Sequence, residues 1–281
     1  MDRTYRKAVI IALVVMLTLP AAVVGYNRWG DIVGFAHGKH LPDFQRYSSV
    51  DERKRAFIDY LFPLVEKANQ ELRADQRRLF RLYQIYAAGY RLTPADKAWL
   101  VALAGDYNVS GFTVVEECSK SKLPLDAWFD LFTRVDTVPV SLALAQAANE
   151  SAWGTSRFAR EGYNLFGEWC FAEGCGIKPR ERVPGLTHEV KSFDTVYASV
   201  QSYVHNLNTR NSYQQFRDLR SDMRRRGVML TGETLANGLV RYSERGAGYI
   251  EIIRSVIQKN GLQRYDSTQS VREHITRDLS S

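Results

Sequence analysis

The chain reads as a mainly helical protein with one small β element, and three features carry that reading. Apolar residues recur at helical spacing through most of the 281 residues, helix-starting and helix-ending residues punctuate those runs, and only residues 176–194 alternate as a strand pair does. Hydrophobic residues make up 45% and charged residues 25%, as in ordinary globular proteins, which excludes a disordered chain and a polytopic membrane protein.

The first element is an export segment. Arg3, Arg6 and Lys7 precede residues 8–24, a run without a charged side chain, in the order of a secretion signal. The run is longer than the usual signal core of about 7–15 residues and reaches the lower edge of a spanning helix, about 17 residues. Residues 1–24 are therefore a signal peptide or a membrane anchor. Val23 and Gly25 make a poor cleavage site, which tips the reading towards an uncleaved anchor in the inner membrane. The basic flank before the run orients the N-terminus inward and places the body in the periplasm.

A linker follows at 25–48, then a helical extension at 49–129. Within it, Phe57, Tyr60, Leu61, Leu64, Val65 and Ala68 repeat at helical spacing, and Pro63 is expected to kink or divide the helix. A second helix is expected to carry Leu72, Leu79, Leu82, Tyr83 and Tyr86 before Gly89 ends it. Thr93-Pro94-Ala95-Asp96 starts a further helix, with a capping side chain and proline in the first turn and with Trp99, Leu100 and Leu103 as its buried face. Helices are expected at 124–133, 139–153, 195–209, 234–243 and 248–260. The hairpin at 176–194 would turn at Pro184-Gly185. Residues 263–281 read as a C-terminal tail.

Charge and cysteines narrow the chemistry. The net charge of +7 fits attraction to an anionic polymer, but no phosphate loop and no basic-aromatic signature points to nucleic acid. Cys118, Cys170 and Cys175 lack zinc-site spacing, so no metal and no cofactor is implied. In an oxidising compartment Cys170 and Cys175 are near enough in sequence to close a small disulfide loop. None of the five histidines has a motif-placed nucleophile beside it, which argues against a Ser-His-Asp or Cys-His hydrolase.

Chemistry concentrates after Pro139. Leu142, Ala143, Leu144, Ala145, Gln146, Ala147 and Ala148 continue a helix that Gly154 would end, so Glu150 lies in the last turn. The negative helix end and the apolar neighbours Ala147, Ala148 and Ala152 oppose ionisation there. A carboxyl that keeps its proton is what a glycosidic oxygen requires of a general acid.

The string Ala145-Gln146-Ala147-Ala148-Asn149-Glu150-Ser151-Ala152-Trp153-Gly154, followed by Asn164-Leu165-Phe166-Gly167, resembles the two motifs of the glucosaminidases of glycoside hydrolase family 73. Phe193-Asp194, the helix around 199–203 and a segment containing Tyr242 and Tyr249 follow in the family's order. The resemblance covers residues 130–262. The preceding helices and the run Asn206-Leu207-Asn208-Thr209 are similar to an exported branch of that family, the bacterial Bax type. What the resemblance implies is a lysozyme-like helical domain with a cleft, an activity against the bond after N-acetylglucosamine, and peptidoglycan glycan strands as partner. Glu150 matches the family's general acid and Tyr242 its cleft tyrosine. Trp153, Asn164, Phe166 and Tyr249 become candidate substrate-binding residues, with wall-building and backbone-bridging as alternative roles for Trp153, Phe166 and Asn164.

The second catalytic group is less sharply marked. Glu181 is ranked ahead of Glu189 in the hairpin, and attack by the substrate's own acetamido oxygen needs neither. Glu168-Trp169-Cys170 stands where relatives often carry apolar and basic residues, so the resemblance does not define the floor of the cleft. A lytic transglycosylase and a catalytically silent wall-binding module are the competing functions.

Overall fold

The computed structural model describes residues 38–112, 125–180 and 188–266. The apolar run at 8–24, Cys118, Glu181 and the expected turn at Pro184-Gly185 lie outside the described residues. Among the described residues no helix is long and apolar enough to cross a membrane.

The architecture is mainly helical with a small sheet, a lysozyme-like arrangement. It comprises α1 (Val50–Ala87), α2 (Pro94–Asp106), α3 (Leu125–Arg134), α4 (Val140–Glu150), α5 (Arg157–Gly162), β1 (Trp169–Cys170), β2 (Gly176–Ile177), β3 (Glu189–Lys191), α6 (Val196–Thr209), α7 (Gln214–Arg225), the short α8 (Gly232–Leu235) and α9 (Ala247–Lys259). At the centre is α4, buried throughout residues 140–148 and packed between α1, α8 and α9. Its small side chains let those neighbours approach closely, and each fully buried Leu or Val contributes about 1.5–3 kcal/mol.

Pro63 does not divide α1, which runs unbroken for 38 residues. Proline removes the hydrogen bond to the carbonyl of Asp59, but both residues face solvent, so that carbonyl is open to hydration. The buried stripe of Phe57, Leu61, Leu64, Val65, Ala68 and Leu72 holds both sides of the proline in register. At the start of α2 the Thr93 hydroxyl accepts from the Asp96 N–H at 3.1 Å, with Pro94 in the first turn, as the residues require. Leu100 and Leu103 are buried there, while Trp99 is half-buried beneath the Arg78 guanidinium, 4.3 Å from the ring centroid.

The β element has three strands in the order β1-β3-β2, rather than the two of a simple hairpin. The added strand comes from the second motif: Trp169 pairs with Val190 and Cys170 with Glu189, while Gly176 and Ile177 pair across the other edge with Lys191 and Val190. Cys170 and Cys175 form a disulfide that ties β1 to the start of β2. Glycine is required at 176, because a Cβ there would overlap the Val190 carbonyl oxygen.

Several hydrogen bonds join α1 and Asp266 to α4 and the segment leading into it. The Asn69 side chain of α1 donates to the Val138 carbonyl at 2.8 Å and accepts from its N–H at 3.0 Å. Gln76 donates to Asp136 at 2.9 Å. Pro139 supplies no side-chain cap for α4, and Asp266 takes that role, accepting from the Ser141 N–H at 2.9 Å and the Ser141 hydroxyl at 2.6 Å. A carboxylate at a helix N-terminus is favoured by the dipole and by the unpaired N–H groups. The last part of the linker is packed as well: Phe44 is buried, and the Gly38 carbonyl accepts from the Val196 N–H at 2.7 Å.

Candidate active site

Glu150 is the last residue of α4. The chain leaves the helix through three successive left-handed residues, Ala152 (φ 51°), Trp153 (φ 59°) and Gly154 (φ 77°). For the two that are not glycine this costs about 1–2 kcal/mol each. Ser151 offsets the cost: its hydroxyl donates to the Ala147 carbonyl at 2.6 Å and accepts from the Gly154 N–H at 2.8 Å. Gly154 is required both by its φ and by space, since a Cβ would overlap the Phe44 ring and stand 3.1 Å from Phe57. The Glu-Ser-Ala-Trp-Gly string thus encodes an abrupt stop after the acidic residue, buttressed by Phe44 and α1. Of the three alanines expected to exclude water from Glu150, Ala147 and Ala148 are buried, but the left-handed turn leaves Ala152 exposed.

The half-buried carboxyl of Glu150 meets the second motif directly. A Cβ built on Gly167 (φ 68°) would stand 3.2 Å from Glu150 Oε2, so glycine lets the exposed backbone at 167 lie against the carboxyl. Tyr249, at the start of α9, brings its phenol near Glu150, close enough for the two groups to interact electrostatically. Gln146, one turn before Glu150 on the same helix, fixes that phenol: its amide donates to the Tyr249 hydroxyl at 2.9 Å while accepting from Tyr203 at 2.7 Å. Burial, and next the charge of Glu150, push the Tyr249 phenol far up, so it remains a donor at neutral pH.

Tyr242 stacks on Tyr249, with ring centroids 5.2 Å apart and planes 10° from parallel. Its hydroxyl donates to the Phe166 carbonyl at 2.8 Å and so pins the second motif to the segment before α9. Burial, followed by the neighbouring phenols Tyr249 and Tyr203, holds Tyr242 well above the ordinary tyrosine range.

Other predicted residues hold the wall of the site. Phe166 is buried and stacks on Tyr203 at 3.9 Å. Asn164 is buried, with its amide donating to the Glu168 and Lys191 carbonyls and its oxygen accepting from the Glu168 N–H. Those bonds join the second motif to β3. Trp153 lies edge-on to Phe57, with the Lys54 ammonium 5.2 Å from its ring centroid, and is turned towards α1.

Of the hairpin carboxylates, Glu189 is buried in β3 and accepts from the Gly176 N–H at 2.9 Å. Glu181 lies outside the described residues. Glu168 accepts from the Ser202 hydroxyl at 2.8 Å, with the Lys191 ammonium 3.9 Å away. Burial raises its carboxyl, a trend opposed by Ser202 and Lys191. Among the described residues no group of three or more His, Cys, Asp or Glu side chains could hold a metal ion.

Sequence reasoning did not single out the linking roles of Gln146, Ser151 and Tyr203. Their signal was present, because the first two lie inside the quoted motif and Tyr203 lies in the helix following it.

The helical fold thus brings a helix-terminal glutamate against a glycine turn, with the Tyr249 phenol close by. Residues 128–262 match the family model Glucosaminidase, described as mannosyl-glycoprotein endo-beta-N-acetylglucosaminidase. The chain is 33% identical over 228 residues to Protein bax of Escherichia coli (strain K12), a match covering 80% of this chain and 76% of that protein. No solved structure matches. The chain belongs to the glucosaminidase family and, within it, to the Bax type.

Proposed function

We propose that this chain hydrolyses the bond on the reducing side of N-acetylglucosamine in peptidoglycan, with Glu150 protonating the departing glycosidic oxygen. The observation that carries the proposal is the setting of Glu150 at the end of α4, with the exposed Gly167 backbone and the Tyr249 phenol against its carboxyl. Once the proton has gone to the leaving oxygen, the Tyr249 O–H stabilises the carboxylate left behind. Membership of the glucosaminidase family supports the class of bond.

The test is mass spectrometry of purified peptidoglycan after digestion and borohydride reduction. Fragments ending in reduced N-acetylglucosamine are expected. Anhydro-muramic ends would instead identify a lytic transglycosylase, and binding without release would identify a silent wall-binding module.

Of the two hairpin carboxylates, Glu181 is proposed to position the attacking water, because the Glu189 carboxylate already bonds to the sheet backbone. Glu181→Ala should lower turnover by roughly a hundredfold, while Glu189→Ala should act mainly on stability. Near-normal turnover in both single variants and in the double variant would favour attack by the acetamido oxygen.

The substrate lies outside the cytoplasm, and residues 1–24 are proposed to export the body to the periplasm, either as a leader or as an inner-membrane anchor. An alkaline phosphatase fusion after residue 40 should be active; an inactive phosphatase with an active cytoplasmic reporter at the same point contradicts this.

A further inference from the structure

The small sheet carries aromatic surface that the catalytic account does not use. Trp169 and Phe171 are 46% and 75% exposed, Trp169 in β1 just before Cys170 and Phe171 inside the small loop that the Cys170–Cys175 disulfide closes. Strand alternation accounts for the pattern: Glu168 turns inward to Ser202, and Trp169 turns outward. His188, at the entry to β3, stands edge-on to the Trp169 indole, with centroids 4.5 Å apart and planes at 85°. A tryptophan on a cross-linked strand with a second exposed ring two residues away presents a pair of neighbouring apolar faces of the kind that binding sites use.

Its position indicates what covers it. The backbone at Gly167 lies against Glu150, and two residues of extended chain span at most about 7 Å, which puts the Trp169 backbone within roughly 12 Å of the Glu150 carboxyl. A glycan strand held with one bond at Glu150 continues over that distance. Pyranose rings present an apolar C–H face and a rim of hydroxyl and acetamido groups. The first suits the indole, and the second suits hydrogen bonding by the His188 imidazole.

We propose that Trp169, oriented by His188 and the disulfide, forms a stacking subsite for a sugar ring of the peptidoglycan strand next to the bond placed at Glu150. The subsite rests on the glucosaminidase reading for its position, but its binding can be measured without turnover. Trp169 binds and does not take part in the proton transfer.

The experiment compares three full-length proteins, Glu150→Gln, Glu150→Gln with Trp169→Ala, and Glu150→Gln with Trp169→Phe, in sedimentation binding to purified peptidoglycan sacculi. Their thermal unfolding is followed in parallel. Removing the indole should weaken binding roughly tenfold with little change in the unfolding midpoint, and phenylalanine, which keeps a stacking face, should restore most of it. Equal binding with alanine overturns the subsite. Binding as weak with phenylalanine as with alanine also overturns it, since the indole would then serve packing against Val190 and not stacking. No binding by the Glu150→Gln parent overturns it as well. The two proposals fail separately: undiminished binding with alanine removes the subsite and leaves the hydrolase, whereas tryptophan-dependent binding without N-acetylglucosamine-ended products removes the hydrolase and leaves the subsite.

Discussion

Asp136→Asn is expected to lower the unfolding free energy by about 3–5 kcal/mol, read as an earlier urea midpoint and a fall of roughly 10 °C in melting temperature. Asp136 is buried at the entry to α4, with Arg224 at 2.9 Å and Arg220 at 3.6 Å. Arg220 has no exposed side-chain surface, so removing its counter-charge leaves a guanidinium in the core with only the carbonyls of Thr133, Asp136 and Thr137 to receive its protons. The Asp136 carboxylate also accepts from the Thr137 N–H at 2.7 Å and from Gln76. Burial alone would raise the Asp136 carboxyl, but Arg224 and Arg220 outweigh it and hold the group below its ordinary value of 3.8. A carboxyl depressed in the folded state stabilises the protein above its unfolded value, and that contribution is lost as pH falls through the folded one. The gap between wild type and Asp136→Asn should therefore be full at neutral pH and shrink below about pH 4. A variant that unfolds at the wild-type midpoint at pH 7 contradicts the account of this cluster.

That cluster also shows where the sequence is hard to read. Helix α7 escapes the hydrophobic pattern because its buried face consists of Phe216, Arg217, Arg220 and Met223. Two arginines at core positions look like solvent-facing charge until Asp136 and several main-chain carbonyls are known to meet them. Asn69 has the same character: a polar residue within an apolar stripe, buried because its amide completes both hydrogen bonds of Val138. Such pairings join residues far apart in the chain, and no local periodicity records them. By contrast, the caps at Thr93 and Gly154, the central α4 and the stripe of α1 follow from local rules of spacing and backbone geometry, and they stand where those rules place them. Two local signals fail: the penalty of Pro63 falls on a face that water can reach, and the helix expected at 234–243 is instead α8, which stops at Leu235, followed by the single 3-10 turn Ala236–Leu239.

The candidate site divides in the same way. Glu150 and its glycine turn are legible because the motif is contiguous. The work of Asn164 and Phe166 is not, since the same letters serve a sugar contact or a wall, and only the bonds of Asn164 to Glu168 and Lys191 and the stacking of Phe166 on Tyr203 separate the two. The third strand was hidden because Trp169 and Cys170 form too short a run to alternate visibly. Its partner, β3, is supplied from the far side of the hairpin.

The largest functional effect is expected at Glu150. An amide has nearly the shape of the carboxyl and keeps one oxygen for the donor on it, Asn149 at 3.1 Å, so the half-buried site should stay folded. It has no proton to deliver to a leaving oxygen, and general acids contribute roughly a hundredfold to ten-thousandfold to rate. The decisive measurement is the rate at which Glu150→Gln and wild type release soluble fragments from purified peptidoglycan, with sacculus binding and thermal unfolding followed on the same samples. A fall of roughly a thousandfold in release, with binding and unfolding little changed, is the result predicted for a proton donor; release at a rate close to wild type from the folded variant would contradict it.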